Sequence, residues 1–421
     1  KTTSMIVGSF LLVIIGWACL QFARPVFGTR ATLILMSVKV AAGMIAMVYY
    51  LHIRHEGDLF YYDEKASEYL TDIQAGCPIW DFLAQEADPA AKATPQNRTF
   101  FFVKIIVVLY MVLGSSIWLS SVFLTFISFL SVVYLVKRVH LTGVDVRWPV
   151  ILIFFLWPSI AIWGSGVSKE TLMLAGISIL FGAVVPFFSG NRSNLLLHTA
   201  LLVLAMVVLA KLRIFVLLSL LPFLFGTILF KILQRYMQKP ALRWALGIAG
   251  VILIVSLVVT FSYSDTSFNP GYVVKAFTDN HAAIVAQSMP EHVVLGLGTL
   301  WQWPQIVLQA MLGAVAGMFG PFLWEVNATS EILLLLEPVL LLTLFFTNSG
   351  LRKRLPVFIW MPLLAYILFT SSMITLSTPN YGSLSRYRLA FYPMLIFLAS
   401  FQHPWLSKIS KLKLLEGNSG V

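Results

Sequence analysis

Apolar residues gather into runs at about 5–22, 31–51, 99–117, 120–136, 148–163, 171–189, 194–210, 214–230, 244–262, 304–323, 331–347, 356–372 and 389–405. Each run is near the roughly 20 residues that a helix needs to cross roughly 30 Å of hydrocarbon. The polar stretches between them are short, apart from 52–98 and 263–303. This pattern predicts an all-α, polytopic transmembrane helical bundle of about 11–13 spans. Residues 1–421 read as a single transmembrane domain, 52–98 as a first outer loop with surface helices, and 263–303 as an outer loop or lid.

Basic clusters at Arg24/Arg30, Lys137/Arg138/Arg147, Lys231/Arg235/Lys239/Arg243, Arg352/Lys353/Arg354 and Lys408/Lys411/Lys413 mark the loops retained in the cytoplasm. Residues 52–98, 164–170, 263–303 and 375–388 then share the opposite side. Two apolar runs lie between Arg98 and Lys137, and two more between 303 and 351, where parity allows one or three. The preferred solution makes one run of each pair re-entrant or surface-lying, for about eleven spans; the alternative has a basic cluster break the charge rule, for about thirteen.

Composition narrows the class further. Hydrophobic residues make up 59% and charged residues 11% of the chain, against about a quarter charged in soluble proteins. That excludes a soluble globular protein, and the recurring runs exclude low-complexity disorder. The net charge of +11 reads as topology rather than as a nucleic-acid partner. Two cysteines, Cys19 and Cys77, cannot form a disulfide framework. Met5 to Phe22 reads as a span, because Ala23-Arg24-Pro25 is a poor signal-cleavage site. These features place the chain in a membrane, with a bacterial inner or plasma membrane expected.

Nine of the 18 acidic residues fall in the first outer loop: Glu56, Asp58, Asp63, Glu64, Glu68, Asp72, Asp81, Glu86 and Asp88. Within it Leu59, Tyr62, Ala66, Tyr69/Leu70 and Ile73 recur at helical spacing, which predicts an amphipathic helix along the membrane surface. Tyr61, Tyr62 and Tyr69 suit the headgroup level. Asp58 is either the N-cap of this helix or a general base at the membrane–water boundary. Pro158-Ser159 precedes Trp163-Gly164-Ser165-Gly166-Val167-Ser168-Lys169-Glu170-Thr171. There Ser168 caps a helix, Glu170 complements its dipole and Lys169 snorkels; alternatively the free amides and Lys169 bind a phosphate or carboxylate.

His281 and His292 have no HxxxH or HExxH companion, so no cofactor is called for and no ligand set indicates a divalent metal. Glu325 and Glu337 adjoin or interrupt apolar runs; they are candidates for a site or for buried pairing. Asn380 to Arg388 places Arg386 and Arg388 just before the last run. Their guanidinium forks match a lipid phosphate, or they anchor the chain to anionic headgroups. A phosphate loop, GxSxG and CxxC are absent, and the sequons at Asn97, Asn191 and Asn327 carry no weight.

Three strings, Gly57-Asp58-Leu59-Phe60-Tyr61-Tyr62, Pro158 through Glu170, and Asn380 through Arg388, resemble the C-type (GT-C) superfamily of polytopic glycosyltransferases, near the protein-mannosyltransferase-like bacterial members. The resemblance implies a transferase that takes a sugar from a polyprenyl-phosphate donor to a glycan, lipid or protein acceptor on the non-cytoplasmic face. It implies Asp58 as catalytic base, with the acid pair Asp63-Glu64 as the alternative, because family members often pair acids at that position. Arg386 and Arg388 are implied to offset the leaving phosphate, with Lys169, Glu170, Glu325, Tyr61 and Tyr62 around the substrate. Two other readings compete: a polysaccharide polymerase or ligase using lipid-pyrophosphate sugars, and a flippase for such lipids.

Overall fold

The computed structural model describes residues 2–54, 57–87, 95–189, 194–239, 241–242, 245–250, 252, 256, 270–288, 303–325, 329–348 and 357–410. Outside them lie most of the run 244–262, Glu56, Asp88, Arg243, Asp265, Glu291, His292, Asn191, Asn327, the Arg352/Lys353/Arg354 cluster and Lys411/Lys413. The described chain is all-helical, without β-strands. Six of its helices are long and apolar enough to cross a membrane.

Two compact units divide the chain, one reaching Ile214 and joined by the segment from Lys408, the other running from Phe215 to Ser407. In order, the first contains α1 (Thr2–Phe27), α2 (Thr29–Val48), which continues into a π-helical turn (Tyr49–Arg54), α3 (Asp58–Gln74), α4 (Ile79–Ala84), α5 (Pro95–Leu113), α6 (Ile117–His140), α7 (Arg147–Ile151), α8 (Pro158–Trp163) and α9 (Lys169–Ser189). Helix α6 is its axis and packs against α1, α2 and α9. Ser120, Ser121, Thr125, Ser128 and Ser131 of α6 are all buried. Such small side chains let helix backbones approach closely where there is no hydrophobic gain over lipid.

The runs 99–117 and 120–136 form α5 and α6, and both have the length and hydropathy of spans. The run 148–163 behaves otherwise. It breaks into α7, a π turn (Leu152–Leu156) and α8. Pro158 crowds the residue before it out of the helical region, and Trp157 accordingly has ψ 115°. Val150, Ile151, Ile153, Phe154, Phe155 and Trp157 are buried in protein, where interrupted backbone is tolerated.

Helix α10 (Leu195–Tyr236) joins the runs 194–210 and 214–230, with a non-helical break at Arg213 (φ −148°, ψ 65°). The second unit then holds α11 (Pro270–Gln287), α12 (Trp303–Phe319), α13 (Thr329–Thr347), α14 (Val357–Ser377), α15 (Tyr381–Tyr387) and α16 (Tyr392–Ser400), followed by α17 (Pro404–Ser410). Helices α12 and α14 cross closely: Ser371 and Ser372 hydroxyls donate to the Ala314 and Ala310 carbonyls at 2.9 and 2.8 Å. The last apolar run, 389–405, is not one span. Its helix α16 has nine residues, eight of them buried, and at 1.5 Å per residue about 13 Å of helix falls short of roughly 30 Å. Asn348 holds the end of α16 by donating to the carbonyl of Ala399 at 2.9 Å.

Candidate functional site

The expected stripe on α3 forms: Leu59, Tyr62, Ala66 and Leu70 are buried. They face α5 rather than lipid, because α5 offers a dense apolar surface that includes Phe102, Val103, Ile106 and Tyr110. Tyr62 lies edge-on to Phe102 at 4.8 Å, and Tyr69 packs against Phe82 and Phe100 at 5.0 and 5.4 Å. Of the three tyrosines assigned to the headgroup level, only Tyr61 is exposed.

Asp58 is not the N-cap. That position belongs to Gly57, whose φ of 109° is open to glycine and strained for other residues. Asp58 is the first helical residue, where its charge complements the positive end of the helix. The Tyr62 hydroxyl, one turn on, donates to Asp58 Oδ2 at 3.5 Å, and the Tyr62 ring carries the Lys169 ammonium 5.5 Å from its centre. Tyr62 therefore contacts both a carboxylate and a cation that are 111 positions apart in the sequence.

Asp63 accepts a short hydrogen bond from Tyr110 of α5, which ties it to the scaffold. Glu64 lies on the exposed face of α3. Of the three candidate acids, Asp58 is thus the one placed beside the Tyr62–Lys169 contact.

At the start of α9 the Ser168 cap forms as expected, with Oγ accepting from Thr171 N–H at 3.0 Å. Lys169 does not snorkel outward; its Nζ donates to Thr99 Oγ1 at 2.8 Å. Glu170 is 0% exposed and is bound by the guanidinium of Arg213 at the break in α10. Its role is charge pairing more than dipole compensation. Arg213, Thr99 and Tyr110 are not singled out by the sequence patterns; for Arg213 the available signal is a charge between two apolar runs.

The second unit holds the other candidates. Asn380 caps α15, its side-chain oxygen accepting from Gly382 and Ser383 N–H at 2.9 and 3.2 Å. Arg386, half-buried, lies 6.0 Å from the centre of the Tyr387 ring. Arg388 differs in kind. It is 2% exposed, and Nη2 donates to the Gly320 and Ala316 carbonyls at 2.5 and 3.2 Å. These are carbonyls at the C-terminal end of α12, where the last acceptors have no further helical N–H to receive; that of Ala316 also accepts from Gly320 N–H at 2.8 Å. Arg388 caps a helix, so the phosphate role expected of it does not match its place. Glu325 Oε2 accepts from the Tyr381 hydroxyl at 2.5 Å and from Phe322 N–H at 2.9 Å, which links it to the Asn380–Arg388 segment. Glu337 is buried on α13. His281 is buried on α11, its Nδ1 2.7 Å from the Leu376 carbonyl.

Among the described residues no three His, Cys, Asp or Glu side chains are grouped as a metal would need. Comparison of the chain with protein-family models, with curated proteins and with solved structures finds no match.

Proposed function

We propose that the chain is a multi-pass membrane glycosyltransferase of the C type. It takes a sugar from a polyprenyl-(pyro)phosphate donor to a hydroxyl of a glycan, lipid or protein acceptor. The site lies on the non-cytoplasmic face of a bacterial inner or plasma membrane. Asp58 accepts the proton of the acceptor hydroxyl as its oxygen attacks the anomeric carbon. The bond from that carbon to the phosphate oxygen breaks, and the electron pair leaves with the lipid phosphate. A cation near the departing oxygen stabilises that charge as it develops, worth several kcal/mol in preorganised sites. Lys169, at the N-terminus of α9, is suited to this.

One observation carries the reading: the Asp58 carboxylate and the Lys169 ammonium both contact one side chain, the first at the Tyr62 hydroxyl and the second over its ring. A base and a cation side by side are what a transfer from a phosphate ester requires. The test is glycosyl transfer by the purified protein in lipid vesicles, with labelled polyprenyl-phosphate sugars as donors. Asp58→Asn is expected to lose at least about a hundredfold in rate, and Asp63→Asn and Glu64→Gln much less. Full activity in Asp58→Asn refutes the assignment of the base.

The breaks at Trp157–Pro158 and at Arg213 favour a second reading, a flippase for such lipids, since many secondary transporters build their sites from interrupted helices. Translocation of a fluorescent lipid-linked sugar without any sugar transfer would select it.

A further inference from the structure

Lys39 lies in α2, within a segment of span length, and is 0% exposed. A buried ammonium is costly and is normally paired with a carboxylate. Among the described residues Lys39 forms no ion pair. Its Nζ donates to the Gly164 carbonyl at 2.9 Å and sits 5.8 Å from the centre of the Phe155 ring. Gly164 closes α8 and opens the turn that leads into α9.

Three further contacts converge on that turn. Ser128 Oγ of α6 donates to the same Gly164 carbonyl at 2.9 Å. Thr125 Oγ1 accepts from Gly166 N–H at 2.9 Å. One turn beyond Lys39, Gly43 meets Gly166 backbone to backbone: a Cβ on Gly43 would sit 3.1 Å from Gly166 N and 3.2 Å from Thr125 Oγ1. Gly166 itself has φ 78°, the left-handed region that favours glycine. Helices α2 and α6 therefore grip the turn Gly164–Ser168 from both sides, and Lys169 and Glu170 follow directly.

We propose that Lys39 is a positioning residue, whose hydrogen bond to Gly164 fixes the turn and so sets where α9 presents Lys169 and Glu170. A hydrocarbon side chain of equal length would fill the space and leave the carbonyl to Ser128 alone. In giving Lys39 a part in sugar transfer the inference rests on the function proposed above; the grip on the turn does not.

The experiment pairs hydrogen exchange with kinetics on the full chain in vesicles. Lys39→Met is expected to speed exchange of the Gly166–Thr171 amides about tenfold, the effect of about one net hydrogen bond. Amides of α5 and of the first half of α6 keep their protection. In transfer assays kcat falls by about tenfold or more while acceptor KM stays within about twofold, since misplacement of a charged group acts on the transition state. Ser128→Ala alone has a smaller effect, and Lys39→Met/Ser128→Ala exceeds the sum of the two, because it strands a carbonyl that either donor alone can satisfy. Should Lys39→Met not fold, Gly43→Ala loosens the same turn from α2 and is read in the same way.

Unchanged protection of Gly166–Thr171 in Lys39→Met and in the double variant overturns the inference, as does a loss of protection spread evenly over the unit. Absence of sugar transfer by the wild-type protein, with the turn still loosened by Lys39→Met, removes the transferase reading and leaves the grip on the turn standing.

Discussion

The Glu170–Arg213 pair gives the sharpest energetic test. Glu170 is 0% exposed, and the two side chains are 0% and 12% exposed respectively. Removing one partner of a buried pair leaves an uncompensated charge and costs about 3–5 kcal/mol. The two deletions are not equivalent here. Arg213→Met takes the guanidinium from a carboxylate that water does not reach, so its cost belongs at the upper end of that range. Glu170→Gln leaves a longer side chain that is already partly in contact with solvent and can swing outward, so about 2–3 kcal/mol is expected. The double variant removes both charges, and a matched apolar replacement of a buried pair is often close to neutral. The coupling energy of the cycle should therefore be at least about 2 kcal/mol. Reversible unfolding in mixed detergent micelles, followed by circular dichroism for all four proteins, measures it. Additive effects, or an Arg213→Met cost under about 1 kcal/mol, refute the reasoning, because the pair would then contribute no more than an exposed one.

Three further outcomes are expected. Arg388→Met takes the guanidinium from the buried Gly320 carbonyl and costs about 1–3 kcal/mol; thermal unfolding measures it, and an unchanged melting temperature contradicts the capping role. Gly57→Ala forces a side chain onto a backbone with φ 109° at about 1–3 kcal/mol and displaces Asp58; an unchanged melting temperature and rate would argue that the helix start relaxes freely. At Asp145 partial burial raises the carboxyl pKa. The side-chain and backbone hydrogen bonds from Arg147, with its charge, outweigh that and hold it below the usual carboxylate range. A value depressed in the folded state adds stability that is present above the unfolded pKa and is lost as pH falls through the folded one. Asp145→Asn should thus flatten the acid limb of an unfolding curve taken between about pH 6 and about pH 2, and an unchanged limb contradicts this.

Several features were legible in the residues alone. The i, i+3, i+4 spacing of Leu59, Tyr62, Ala66 and Leu70 announced α3, and Ser168 announced the start of α9. What the spacing could not tell was the partner: an apolar stripe is the same whether it faces lipid or α5. Hydropathy failed for the same reason at 148–163 and 389–405, where apolar residues line protein interior. Pro158 held the local signal of the first break. The Asp58 cap was misjudged because the preceding glycine, with its unusual φ, takes the position itself. Lys39 and Arg213 were visible as charges in or between apolar runs, but their partners, a carbonyl and a carboxylate on other helices, are set only by tertiary packing. Arg386 and Arg388 look alike in sequence; burial against the end of α12 is what separates them.

The Glu170–Arg213 contact also bears on how the chain enters its membrane. Glu170 leaves the ribosome 43 residues ahead of its cation, a delay of about 2–9 s at roughly 5–20 residues per second. During that interval Glu170, beside Lys169, heads an otherwise oily segment without the guanidinium that binds it in the folded chain, and the translocon should hold that segment back from lipid. Helix α9 would thus wait at the exit gate until the first half of α10 emerges, and the two would partition together with the carboxylate already paired.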